Sequence, residues 1–236
     1  NVGIGTTAPA FMLDVDGTFQ ADTPIRKTDY WSTMASSPAA FGTGGSMVYA
    51  GDNYIYGIRG DSTTDFYRYS IRDNSWSSMT AVTATVGQGG YLVYTGGDYI
   101  YALRGGTTTT FYRYSISGNS WSTMTATPGT MAGGSTLTYG GDDYIYASRG
   151  GNGEFYRYSI SGDSWSSLAT RPASFQGSES GAYTGGDYIY MTTASSTTFY
   201  RYTISSNSWS TLAAAPASIL SGSRLVYTGG DYIYVG

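Results

Sequence analysis

Residues 144–168 read Tyr-Ile-Tyr-Ala-Ser-Arg-Gly-Gly-Asn-Gly-Glu-Phe-Tyr-Arg-Tyr-Ser-Ile-Ser-Gly-Asp-Ser-Trp-Ser-Ser-Leu. The same line returns with small changes along most of the chain. Tyr54, Tyr99, Tyr188 and Tyr232 open the other copies of Tyr-Ile-Tyr, and each copy starts 23 residues after a tryptophan. Those tryptophans, at 31, 76, 121, 165 and 209, are separated by 45, 45, 44 and 44 residues. A period of this length marks a stacked-repeat or propeller architecture. It does not by itself name an activity.

Within one period, four short segments are rich in aromatic and β-branched residues: 133–139, 144–151, 155–160 and 164–168. Gly, Asp, Asn and Ser bound each of them, so they read as four β-strands. The Gly-Gly-Asp runs supply the positive φ that tight hairpins demand. No window carries a 3.6-residue apolar period long enough for a helix. In Tyr144-Ile145-Tyr146 the tyrosines point one way and the isoleucine the other, leaving both faces apolar or aromatic. A sheet of that kind needs a neighbour on each side. One unit alone buries too little to offset the entropy of ordering it.

These residues resemble the kelch repeat, in which a hydrophobic strand ends in a Gly pair, followed by a Tyr and, after six residues, a Trp. The matching positions are Gly105-Gly106, Tyr114 and Trp121, then Gly150-Gly151, Tyr158 and Trp165; Tyr69/Trp76 and Tyr202/Trp209 keep the spacing. Arg59-Gly60-Asp61 has a single Gly, and the fourth unit carries Met191-Thr-Thr-Ala-Ser where Arg-Gly-Gly would stand. The resemblance, to blades of the galactose-oxidase and kelch type, implies an all-β five-bladed β-propeller of four-stranded blades. The chain contains five Trp-to-Tyr-Ile-Tyr halves but four Phe-Tyr-Arg-Tyr strands, at 66–69, 111–114, 155–158 and 199–202. One blade is therefore expected to be completed by the N- and C-terminal strands, closing the ring. Pro24 falls where the ladder tyrosine of its third strand belongs, and proline cannot donate to a ladder.

The propeller is expected over 26–236, with residues 1–25 outside the repeat as an extended linker or strand donor. The stretch Asn1-Val-Gly-Ile-Gly-Thr-Thr-Ala-Pro, with Met12-Leu-Asp-Val-Asp-Gly-Thr-Phe after it, resembles segments of tail-fibre-like and bacterial surface proteins. Leu13, Asp14, Val15 and Asp16 alternate with period two and suit pairing with a free strand edge. That edge belongs either to the same molecule or to the next one. The missing initiator Met reads as processing or as an excerpt of a longer chain.

Charged residues make up 12% of the chain, about half the usual share, and the net charge is −4. Lys27 is the single lysine. Nucleic acid requires clustered cations, so no nucleic-acid partner is expected. No apolar stretch approaches the ~18 residues of a membrane span. Histidine and cysteine are absent. That excludes a Ser-His-Asp or Cys-His arrangement, and with them the His and Cys–Tyr copper chemistry that the galactose-oxidase resemblance brings to mind.

Asp98, Asp143, Asp187 and Asp231, with Asn53 at the fifth site, precede the tyrosines and read as turn formers. The strand arginines Arg68, Arg113, Arg157 and Arg201 read as partners for neighbouring tyrosine rings. Ten residues beyond each Trp stand Phe41, Val86, Met131, Phe175 and Ile219. They fall where blades join, and either pack beneath the loops or form a contact surface at the channel mouth. No cofactor, metal or catalytic residue is expected. The reading is a non-enzymatic, extracellular structural or adhesive protein that self-associates into a surface fibre or filament. The alternative is a glycan-binding, lectin-like propeller.

Overall fold

The computed structural model describes residues 2–4, 13–15, 32–172 and 179–236. The chain divides into two compact units, 1–34 and 35–236. In the first, β1 (Val2–Ile4) and β2 (Leu13–Val15) form a two-stranded parallel sheet in which Val2 lies opposite Leu13 and Ile4 opposite Val15. Phe175 and Asp16 lie outside the described residues, as do Pro24 and Trp31.

The second unit contains four antiparallel sheets of four strands each, in meander order. Sheet one is β3 (Ser46–Tyr49), β4 (Tyr54–Ile58), β5 (Phe66–Ser70) and β6 (Ser75–Ser78). Sheet two is β7 (Tyr91–Tyr94), β8 (Tyr99–Leu103), β9 (Phe111–Ser115) and β10 (Ser120–Met124). Sheet three is β11 (Thr136–Tyr139), β12 (Tyr144–Ser148), β13 (Phe155–Ser159) and β14 (Ser164–Ser167). Sheet four is β15 (Glu179–Tyr183), β16 (Tyr188–Thr193), β17 (Phe199–Thr203) and β18 (Ser208–Thr211). A fifth sheet holds two strands among the described residues, β19 (Leu225–Tyr227) and β20 (Ile233–Val235). No helix occurs among the described residues. The all-β, repeated reading of the sequence therefore stands, with four complete sheets and a smaller fifth.

The register explains the aromatic pattern. Ile145 lies opposite Tyr139 on one side and Tyr158 on the other, and Tyr158 lies opposite Trp165. The hairpin between third and fourth strands turns on Asn74, Asn119, Asp163 and Asn207, all at φ between 42° and 47°. Asn and Asp tolerate this left-handed conformation. The glycines just before two of them, Gly118 and Gly162, are not the left-handed residues.

Each sheet is buried chiefly against the next. The Phe66 ring stands edge-on to Tyr114 (4.8 Å between centroids) and Trp121 (4.9 Å) of sheet two. Phe111 does the same with Tyr158 and Trp165 of sheet three, and Phe155 with Tyr202 and Trp209 of sheet four. Behind each Phe, a tyrosine of the second strand stacks at 5.6–5.8 Å: Tyr56, Tyr101 and Tyr146. The first strands β3, β7, β11, β15 and β19 each touch the next in the series, and residues of all five line one cavity of about 550 Å³.

Substituting Phe111→Ala removes a fully buried ring from this inter-sheet contact, and should cost about 3–5 kcal/mol of unfolding free energy. Trp121→Phe keeps most of the ring but deletes the indole N–H donated to Thr80 O, and should cost about 1 kcal/mol from that bond, plus a small packing loss. Urea denaturation of both variants checks the order; equal losses would contradict it.

Candidate functional site

At the end of the shared cavity where the chain passes from one sheet into the next, loops 42–45, 87–90, 132–135 and 221–224 gather. They surround a second cavity of about 740 Å³, lined by Gln88, Tyr91, Ser135, Arg149, Asn152 and Arg224 together with loop glycines. The loops nest backbone on backbone. A Cβ on Gly44, at φ 80°, would overlap the carbonyl oxygen of Gly87, and one on Gly89, at φ 88°, that of Ala132. Glycine is required there by close approach as well as by backbone conformation.

The apolar residues that introduce these loops point inward. Val86 (2% exposed), Met131 (0%) and Ile219 (7%) are buried, and Phe41 is half-buried against Tyr67 and Trp76. Backbone bridges Thr63–Val86, Thr108–Met131 and Ser196–Ile219 fix them beneath the neighbouring hairpin. Their burial withdraws Val86, Met131 and Ile219 from any solvent-facing contact surface. Of the candidate strand-donor residues, Leu13, Asp14 and Val15 lie in β2, paired with β1.

At the start of the inner strands the repeat sets one equivalent residue per unit, and two of the five, Tyr91 and Arg224, line the mouth. In sequence order the five are Ser46, Tyr91, Thr136, Ser180 and Arg224. Ser46 and Ser180 bind the next sheet, their hydroxyls accepting the backbone N–H of Leu92 and Leu225 at 3.0 and 2.7 Å. Tyr91 and Arg224 break the pattern. The Arg224 guanidinium lies 5.7 Å from the Tyr91 ring centroid and donates to the carbonyls of Gly222 and Ser223. The only sequence signal for them is this departure from the small hydroxyl residues at the same repeat position.

The arginines that end the second strands clamp the incoming loops. Nε of Arg59, Arg104 and Arg149 donates to the carbonyls of Ala40, Thr85 and Thr130. Arg59 also pairs with Asp65 at 3.0 Å, and Arg149 with Glu154 at 2.6 Å. Glu154 further accepts the Tyr156 hydroxyl at 2.6 Å. The Tyr156 hydroxyl, Arg149 and Asn152 together lower the Glu154 carboxyl to about 2, from 4.5. Burial and the adjacent carboxylate push Tyr156 up to about 12, so its phenol stays protonated at neutral pH and acts as a donor, not a nucleophile.

The strand arginines lie over tyrosines: Arg68 over Tyr54, Arg113 over Tyr99, Arg157 over Tyr144 and Arg201 over Tyr188, at 4.4–4.6 Å. The turn aspartates at the far end tie two hairpins together. Asp98 accepts Ser115 Oγ and the Ser117 N–H, and Asp143 accepts Ser159 Oγ and the Ser161 N–H. Those bonds, led by the serine hydroxyls, hold both carboxyls below their ordinary range. Asp187 binds Ser205 in the same way.

No family model and no curated protein matches the sequence. Solved structures do match its fold. One of them, described as the structure of YjhT, aligns with a TM-score of 0.66 at 13% identity, covering 84% of this chain and 72% of that one. At that identity the likeness is one of fold.

Because Glu154 titrates lower in the folded chain than its ordinary value of 4.5, its contribution to stability is present above pH 4.5 and is lost as pH falls towards 2. Its partial exposure keeps that contribution modest. Thermal melts from pH 6 to pH 2 should show a shallower acid decline for Glu154→Gln than for the parent chain. Parallel curves would show that the Arg149–Glu154–Tyr156 cluster does not couple protonation to folding.

Proposed function

We propose that the chain is a non-enzymatic extracellular structural or adhesive protein. In this reading it is a five-bladed kelch-like propeller, its ring closed by the N- and C-terminal strands, which associates head-to-tail through residues 1–25 into a surface fibre or filament. The observation that carries the association is the fifth sheet. Its outer strand β20 has no further strand beside it among the described residues, and Tyr232, Tyr234 and Val235 are 70%, 57% and 50% exposed. An open edge with apolar faces is a template for another strand.

The donor is the small sheet of β1 and β2, which as a two-stranded ribbon is marginal alone and, among the described residues, keeps an outer edge on each strand. Donor and acceptor surfaces differ, so the contact is heterologous and builds filaments unless it closes on itself. The run of first strands around one cavity supports the ring, and the Gly, Tyr and Trp spacing supports the kelch type. The non-enzymatic reading is supported by the scaffold roles of the recurrent arginines, aspartates and tyrosines. The polar, lysine-poor composition supports an extracellular setting.

The second reading, a glycan-binding propeller, is favoured by the 740 Å³ mouth, where the Tyr91 ring stands beside Gln88, Asn152 and Arg224. Aromatic rings with a few polar groups around them suit sugars.

Sedimentation velocity of the full chain and of a chain beginning at Thr23 separates the readings. Large assemblies that disappear on truncation are expected; equal monomers would remove the association. A glycan array in which binding is lost on Tyr91→Ala would transfer the function to the mouth.

A further inference from the structure

The first strands of the sheets carry equivalent residues, and two of those equivalents are not covered as the others are. Met47, Leu92, Leu137, Gly181 and Leu225 share one position, and Val48, Val93, Thr138, Ala182 and Val226 share the next. Leu92, Leu137 and Leu225 are buried, whereas Met47 is 55% exposed. Val93, Thr138 and Ala182 are buried and Val48 half-buried, whereas Val226 is 51% exposed. Met47 and Val226 both line the cavity of about 550 Å³ that the first strands share. Two apolar side chains thus meet water inside a concavity, at positions that the other sheets cover.

That cavity adjoins the mouth. Gly45, Tyr91 and Arg224 border both spaces, so the apolar channel and the polar mouth meet at the Tyr91–Arg224 pair. This neck carries a positive charge. Arg149, also at the mouth, is committed to Glu154. Arg224 forms no salt bridge among the described residues; its Nη1 donates to the backbone carbonyls of Gly222 and Ser223, at 3.3 and 3.1 Å. Among the described residues no carboxylate lines either space. A guanidinium offers five N–H donors in a fork that matches a carboxylate, so an exposed Arg224 retains donors for an incoming anion.

We propose that neck and channel together bind a medium-chain carboxylate, with its head group on Arg224 and its alkyl tail between Met47, Val93 and Val226. Charge complementarity selects the head, since the neck has a cation and no acid beside it. The lining selects the tail, because burying methylenes against Met47 and Val226 removes apolar surface from water on both partners. First strands of three to five residues, rising about 3.3 Å each, make the channel long relative to its volume, which suits a chain more than a compact group. An apolar lining with a few polar groups is the usual make-up of a small-molecule site. The proposal goes beyond both readings above. It needs no association through residues 1–25, and although it shares Tyr91 and Arg224 with the glycan reading, a sugar has no tail to place beside Met47.

Calorimetric titration of the full chain with octanoate, hexanoate and octanol at pH 7 tests the site. Octanoate should bind once per chain. Hexanoate should bind about 15-fold more weakly, at about fourfold for each methylene withdrawn. Octanol keeps the tail and loses the charge, and should bind at least about tenfold more weakly than octanoate. Arg224→Gln should bring octanoate down to the affinity of octanol. Met47→Asp, at an exposed side chain, should weaken octanoate at least about tenfold by placing a like charge in the channel. No saturable binding of octanoate overturns the proposal, and so does equal affinity for octanoate and octanol. Equal affinity for octanoate and hexanoate also overturns it, leaving an anion site without a channel. A glycan held at the mouth would be lost on Tyr91→Ala and kept in Met47→Asp, so failure of the glycan reading is distinguishable from failure of this one.

Discussion

The rest of the structure depends on the insertion of one phenylalanine between a tyrosine and a tryptophan of the following sheet. Phe66, Phe111 and Phe155 each make that contact, and within its own sheet each is backed by one stacked tyrosine, at the longer distance of 5.6–5.8 Å. Edge-to-face rings with centroids 4.8–5.0 Å apart add to the area they bury, but only when the neighbouring sheet is present. A single sheet of this protein carries two aromatic faces and no means of covering them. The period of 44 or 45 residues is the length needed to return the chain to the same place on the next sheet.

Polar groups reinforce that packing. The indole N–H and the Asn or Asp side-chain oxygen grip a single backbone unit from the preceding connection, so the connection has one place to lie. The guanidinium of each third strand sits over a tyrosine of the second, which keeps a cation at the partly wet face without a counter-charge. At one end, serine and aspartate join adjacent hairpins; at the other, glycine loops nest around a mouth. Chemistry-bearing residue types therefore recur in this chain for reasons of architecture. The positions that break the repeat, Tyr91 and Arg224 in particular, line the mouth between those loops.

Much of this was legible in the sequence because the repeat displays each role several times. Tyr-Ile-Tyr and Phe-Tyr-Arg-Tyr declared their strands, and the aspartates before Tyr99 and Tyr144 declared their turns. Arginine stacking on tyrosine followed from their alternation. The burial of Val86 and Met131 was not decided by local pattern, since an apolar residue in a connecting segment faces inward or outward according to a hairpin some 23 residues away. Glu154 was missed because one acid in a variable loop has no meaning until Arg149 and Tyr156 are seen to converge on it. The parallel pairing of Leu13–Val15 with Val2–Ile4 was not legible, because a period-two alternation suits any free edge and does not name the strand it pairs with.

Native-state hydrogen exchange at the central strands tests the dependence of every sheet on its neighbours most directly. The backbone amides of Ile55, Ile100, Ile145 and Ile189 occupy equivalent places in four sheets. If the sheets are stable only in each other's company, all four amides open with one common free energy, and Phe111→Ala lowers the four together. Loss confined to Ile100 and Ile145, with Ile55 and Ile189 unchanged, would show that the sheets hold themselves and would contradict the account.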